Sequence, residues 1–127
     1  MFWTREEVVT FLTEKEEETV NILVELGINE NVAKVLVFLA DTHDVTSREI
    51  ESGTDLPQPK VSIALQYLME NNWITCHKKD GEVKGHPVKV YNLAKSIDKI
   101  MQRIETSVKN DLTNHLSTVQ KLRDYIR

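Results

Sequence analysis

Apolar residues recur along this chain at helical and strand-like spacings, and the points where the spacing changes mark out its elements. From Val61 onward, Ala64, Leu65, Leu68 and Met69 fall three and four apart, the spacing of one helix face. They predict a helix from the Pro57, Pro59 pair to about Asn72. Prolines are tolerated at its front because the amides they lack have no partner in a first helical turn. Upstream, Val32, Val35, Leu36, Phe38 and Leu39 make a thick stripe behind Asn29, which predicts another helix with an asparagine cap. Between the two lies Thr46-Ser47-Arg48-Glu49, a capping box in which the Thr46 hydroxyl accepts the Glu49 amide and the Glu49 carboxylate accepts the Thr46 amide. It opens a short helix, reached through a Thr42 to Val45 loop. Gly53 is expected to close that helix by taking positive φ, with Thr54, Asp55 and Leu56 forming the turn. After Asn71 and Asn72 the residues become β-prone, Trp73-Ile74-Thr75-Cys76 and then His77, Lys78 and Lys79. Val88 to Leu93 supplies a second strand, and Asp80 to Pro87 between them is too long for a tight turn but suits an exposed loop.

The two ends of the chain read as helices of different kinds. Thr4-Arg-Glu-Glu7 and Thr13-Glu-Lys-Glu16 are two more capping boxes, so a short helix should precede a longer one ending near Gly27, with Val20, Ile22, Leu23 and Leu26 on its apolar side. Phe2, Trp3, Val8, Val9, Phe11 and Leu12 are too apolar for a free tail. Packing on the core and contact with a partner subunit stand even as explanations. From Ala94 to Arg127 there is neither glycine nor proline. Ile97, Ile100, Met101, Ile104, Val108, Leu112, Leu116, Val119, Leu122 and Ile126 recur three or four apart along it. A helix of that length spans roughly 50 Å, more than one small domain can cover, so the stripe is expected to meet a second chain. Its spacing slips between Val108 and Leu116, near Asp111 and His115, which favours an antiparallel or bundle-like dimer over a strict heptad coiled coil. The expected class is mainly α (α+β), in three parts: an N-terminal helical extension over 1–28, a helix-turn-helix with a hairpin over 29–93, and a dimerisation helix over 94–127.

A capped helix, a tight turn, a second helix and a projecting hairpin, in that order, outline a winged helix-turn-helix. The polar side of the second helix carries Gln58, Lys60, Ser62, Gln66 and Tyr67. Amides and hydroxyls there make directional bonds to base edges in the major groove, and lysine neutralises phosphate. Ser47 and Arg48 at the start of the preceding helix are further candidates for DNA contact. Lys78, Lys79, Lys84, His86 and Lys89 cluster in the hairpin, where a basic loop can follow the backbone or enter the minor groove.

These residues also carry a resemblance. Thr46-Ser-Arg-Glu-Ile50, Val61-Ser-Ile-Ala-Leu65, Trp73-Ile74 and above all Lys84-Gly-His-Pro-Val-Lys-Val-Tyr91 resemble the winged-helix transcriptional regulators of archaea, close to the TrmB, MarR and ArsR groups. The resemblance spans roughly Asn29 to the C-terminus. It departs at His86, where the family pattern has arginine; histidine is shorter and lacks the permanent charge of a guanidinium. What the resemblance implies is a homodimer that binds double-stranded DNA sequence-specifically, without catalysis. Two recognition helices in successive major grooves would then read a pseudo-palindrome with half-sites about 10 base pairs apart.

Charge bears on that expectation through its distribution. The chain of 127 residues has a formal charge of −4, unusual for a protein meant for DNA. Residues 1–31 hold eight acids against two bases, whereas residues 57–103 hold eight bases against four acids. The basic part is the part that would face DNA. The negative total and His86 nonetheless keep a second reading open, a winged helix used as a protein-interaction module. No apolar run is long enough to span a bilayer and the acidic N-terminus has no signal-peptide core, so a cytoplasmic protein is expected. The lone Cys76 fits a reducing compartment.

No cofactor or metal is expected. His43, His77, His86 and His115 are scattered, and Cys76 beside His77 would need His86 or a second subunit to complete a zinc site. The paired-cysteine metal site of ArsR proteins has no counterpart, since there is no second cysteine. Neither a phosphate-binding glycine loop nor a nucleophile in a recognisable setting is present, and the Glu14 to Glu18 run reads as a solvated helix face, so an enzyme is not expected. The sequence identifies no small-molecule effector; one would have to sit in a dimer crevice between the N- and C-terminal helices.

Overall fold

The computed structural model describes residues 12–81 and 84–127. Its elements run α1 (Glu14–Glu25), α2 (Glu30–Ala40), α3 (Ser47–Thr54), α4 (Gln58–Glu70), β1 (Ile74–Lys79), β2 (Val88–Leu93) and α5 (Ile97–Ile126). The capping boxes at Thr13 and Thr46 both form, each threonine hydroxyl accepting the N3 amide and each glutamate accepting the threonine amide. Asn29 Oδ1 caps α2 by accepting from the Asn31 and Val32 amides, at 2.9 and 3.3 Å. The box at Thr4, and the apolar residues from Phe2 to Phe11, lie outside the described residues.

By its contacts the chain divides into two units, one extending to Lys95 and the other Ser96–Arg127. In the first, α2 is the central element: Ala33 and Val35 are fully buried and Leu39 almost so, and α2 packs on α1, α3, α4 and β2. Ile50 from α3 and Val61, Ala64, Leu65 and Leu68 from α4 complete the core, with Trp73, Ile74 and Val90 at the root of the hairpin. Apolar burial of this kind stabilises at about 25 cal/mol per Å². The spacing assigned Met69 to the buried stripe of α4 and Ile22 and Leu26 to that of α1, yet all three are exposed. Each stripe is narrower than its sequence spacing implied, because each helix meets the core along one seam only.

Gly53 also differs from its expected role. It sits inside α3 with ordinary helical geometry, and a Cβ there would overlap the Phe38 ring. The positive φ that ends the helix falls on Asp55 (φ 57°), a residue type whose short polar side chain tolerates the left-handed region. Gly53 is therefore a close-approach glycine that lets α3 settle on α2. The turn continues through buried Leu56 to Pro57, the N-cap of α4, with Pro59 in the first turn. Asn72 (φ 59°) takes the chain out of α4 into the hairpin.

The hairpin is antiparallel in a continuous register from Ile74 opposite Leu93 to Lys79 opposite Val88. The loop before α3 joins it: the Val45 amide donates to the Tyr91 carbonyl at 3.4 Å and the Tyr91 amide to the Val45 carbonyl at 2.8 Å. The second unit is the single helix α5, capped by the Ser96 hydroxyl accepting the Lys99 amide.

Candidate nucleic-acid interface

The outward face of α4 follows from which of its residues the core takes. Val61, Ala64, Leu65 and Leu68 are buried, leaving Gln58, Lys60, Ser62, Gln66 and Tyr67 in solvent. Two of these are locally committed. The Gln66 amide nitrogen lies 3.4 Å from the Glu70 carboxylate, and the Tyr67 ring stands edge-on to buried Trp73, centroids 6.4 Å apart at 84°. That packing fixes Tyr67 where α4 hands over to β1. Ser47 and Arg48 are exposed on the first turn of α3.

One exposed residue was given no role of its own in the sequence reading. Ile63 lies two residues from Val61, about 200° round the helix at 3.6 residues per turn, and is 68% exposed. The signal was available, for an isoleucine off the stripe that buries its neighbours must point away from the core.

In the hairpin, Lys78 and Lys89 are directly opposite each other in register and both are exposed. Like charges placed opposite across strands destabilise a hairpin. Among the described residues neither has a carboxylate partner, nor does Lys60. Lys84 and His86 lie exposed in the loop, which turns tightly enough at Gly81 that a Cβ there would come within 2.6 Å of the His86 carbonyl oxygen.

Lys79 is placed differently from its neighbours. Its ammonium is 3.1 Å from Asp44 Oδ2, so it is engaged within the fold. Asp44 is the organising residue of this corner. It takes positive φ (50°), its amide donates to Asn92 Oδ1 at 2.8 Å, and Asn92 Nδ2 donates back to Asp44 Oδ1 at 2.7 Å. His43 Nε2 at 3.5 Å and His77 Nε2 at 3.8 Å complete the surround. The Asn92 bond first, and the Lys79 bond second, hold the Asp44 carboxyl below the ordinary carboxylate value. With the Val45 and Tyr91 pairing, this cluster ties the hairpin to the residues that open α3. On the other strand face, burial and then the neighbouring Cys76 push the Tyr91 hydroxyl up.

Among the described residues no three histidine, cysteine, aspartate or glutamate side chains are grouped to hold a metal, and no helix is long and apolar enough to cross a membrane. A cavity of about 380 Å³ lies between α1, α2 and the turn after α3, lined by Glu17, Val20, Asn21, Glu30, Lys34, Thr54 and Asp55 among others. It is polar, with Lys34 paired to Glu30 at 3.5 Å.

On α5, Ile100 and Ile104 are buried, whereas Ile97, Met101, Val108, Leu112, Leu116, Val119, Leu122 and Ile126 are exposed. Leu112 and Leu116 at the middle of the helix show 58% and 61% of their surface. Of the ten residues expected to meet a second chain, eight therefore have apolar surface available for it.

No family model matches the chain, and no curated protein sequence matches it. Solved structures do. TrmBL2, an archaeal chromatin protein that binds DNA, superposes with a TM-score of 0.62 at 17% identity over 88% of this chain. This chain spans only 40% of TrmBL2. A possible transcriptional regulator from Methanosarcina mazei Go1 matches with a TM-score of 0.60 at 16% identity, over 85% of this chain and 87% of its own. NMB1585, a MarR family regulator from Neisseria meningitidis, gives 0.50 at 15% identity, over 85% and 84%. Archaeal and bacterial proteins both appear, so the likeness does not assign the chain to archaea. At these identities the likeness is one of fold, and the fold is a winged helix-turn-helix.

Proposed function

We propose that this protein is a sequence-specific, double-stranded DNA-binding transcriptional regulator that acts as a homodimer and without catalysis. In this reading α4 lies in the major groove, where Gln58, Ser62 and Gln66 meet base edges and Lys60 a phosphate. The hairpin is the wing, with Lys78, Lys84 and Lys89 on the backbone and His86 at its tip. Ser47 and Arg48 approach the backbone from the start of α3. Lys79 acts indirectly, by tying the hairpin to the loop before α3 through Asp44. The exposed stripe of α5 meets its copy, and a two-fold dimer reads a pseudo-palindrome.

The observation that carries this reading is the cross-strand pair Lys78 and Lys89. An isolated hairpin gains nothing from two ammonium groups face to face, whereas a polyanion turns the repulsion into attraction. The regulators that share the fold, TrmBL2 among them, support the same reading.

The test is selection of bound sequences from a random duplex pool at moderate salt, with light scattering run in parallel. Enrichment of a two-fold motif by a dimer is expected. A second reading, a winged helix that binds another protein, is favoured by the −4 net charge. It predicts no enrichment and no salt-sensitive duplex binding.

A further inference from the structure

An isoleucine at the centre of a solvent-facing helix surface has no folding reason to be there. Ile63 is 68% exposed, opposite the buried stripe of α4. Its neighbours one turn away are Pro59 and Lys60 on one side and Gln66 and Tyr67 on the other. As a surface residue it is a poorer helix former than alanine, lysine or glutamate, because its branched Cβ restricts rotation against the preceding turn. That same restriction is an advantage in an interface, since a side chain already confined to one rotamer loses little freedom on contact.

Resting on the DNA-binding reading above, we propose that Ile63 reads a thymine in each half-site by packing on its 5-methyl group in the major groove. Thymine is the one base that presents a methyl there; adenine, guanine and cytosine present polar edges or a bare C5. The residues around Ile63 suit that surface. Lys60 carries the charge complementary to phosphate, and Gln66 supplies amide donors and an acceptor for an adjacent base edge. An apolar centre within a polar rim is also how a small contact excludes water.

The experiment is a fluorescence titration of the 127-residue chain with its selected duplex and with duplexes in which each thymine in turn is replaced by uracil. Uracil differs only in lacking the methyl. Wild-type protein should bind about fourfold more weakly at one such position per half-site, the worth of one buried methyl-sized group. The Ile63→Ala protein should bind the thymine duplex more weakly and should no longer distinguish thymine from uracil at that position. Gln66→Ala is the control: its base preference should change while the thymine-to-uracil loss at that position persists. Ile63 is 68% exposed, so Ile63→Ala should fold, which its melting curve checks.

Equal thymine-to-uracil losses for wild type and Ile63→Ala at every position, with salt-sensitive duplex binding intact, would overturn the assignment of Ile63 and leave the DNA reading standing. A change of oligomeric state on Ile63→Ala with no change in base discrimination would likewise overturn it, placing Ile63 in a protein contact. Absence of any duplex binding by wild type would overturn both.

Discussion

Asp44 shows how one side chain can set the position of a whole hairpin. Its carboxylate and amide form a reciprocal pair with Asn92, and Lys79 adds a second donor to the carboxylate. Because these bonds favour the ionised form, Asp44 titrates below its ordinary 3.8 in the folded chain. A depressed carboxylate stabilises fully above its unfolded value, and that contribution disappears as pH falls through the folded value. Asp44→Asn should therefore melt below wild type at pH 7, and the gap should close as pH is lowered from 5 toward 3; parallel acid limbs in circular-dichroism melts would show that the carboxylate contributes nothing. Gly53 makes the opposite kind of point, one about space. Replacing a helical glycine by alanine normally gains about 1 kcal/mol of helix propensity. Here the added methyl would overlap the Phe38 ring, and overpacking costs about 1–3 kcal/mol, so the steric effect wins. Gly53→Ala should lower the denaturation midpoint, and Phe38→Leu in the same chain should restore part of the loss. Neither residue's role was legible in the sequence, for both depend on partners distant along the chain: Asn92 for Asp44, Phe38 for Gly53.

The elements were far more legible than these partnerships. Capping boxes at Thr13 and Thr46, the Asn29 cap and the prolines at the start of α4 are local devices, and local devices act wherever their own few residues stand. Apolar spacing located α1, α2 and α4 for the same reason, but it overcounted the buried residues of α1 and α4 and left out Ala33 and Val37 of α2, since periodicity reports a face and not how much of the helix the neighbours cover. What spacing could not give is cross-strand register. Lys78 and Lys89 were read as members of a basic cluster, and only the register places them opposite each other. That placement has a measurable consequence. Lys89→Thr should stabilise the free protein by roughly 0.2–1 kcal/mol, the usual range for cross-strand pairs. In the proposed function it should also weaken duplex binding and make the log–log salt slope about 0.9 shallower, the value of one phosphate contact. A variant that becomes more stable with unchanged salt slope would leave the lysine pair as a structural oddity with no role on DNA.

At the scale of the molecule, the decisive quantities are the exposed stripe on α5 and the division of charge. A helix of 30 residues is about 45 Å long, and past Ile104 every one of its residues is exposed in the single chain. Burying a leucine relative to leaving it in water contributes about 1.5–3 kcal/mol, so in the proposed homodimer a stripe holding Val108, Leu112, Leu116, Val119, Leu122 and Ile126 would offset the loss of independent motion on pairing. Asp111 and His115, which interrupt the stripe, would then mark where the register of the pair is fixed, because a polar layer in an apolar seam tolerates few alignments. The charge division gives that assembly its consequence. In the proposed function, eight bases against four acids over residues 57–103 attract phosphate while the acidic residues of 1–31 repel it, so each copy alone should have modest affinity for a duplex. If two copies are linked as proposed, binding to one pseudo-palindrome would make the second contact intramolecular, and affinity would rise steeply without new contacts. Leu116→Glu should accordingly yield a monomer by light scattering, keep the thermal transition of the helix-turn-helix unit, and lose at least about 100-fold in affinity for the two-fold site. Its affinity for a single half-site should remain close to wild type. Equal losses on both duplexes would mean that α5 supports the reading surface itself and does not join two of them.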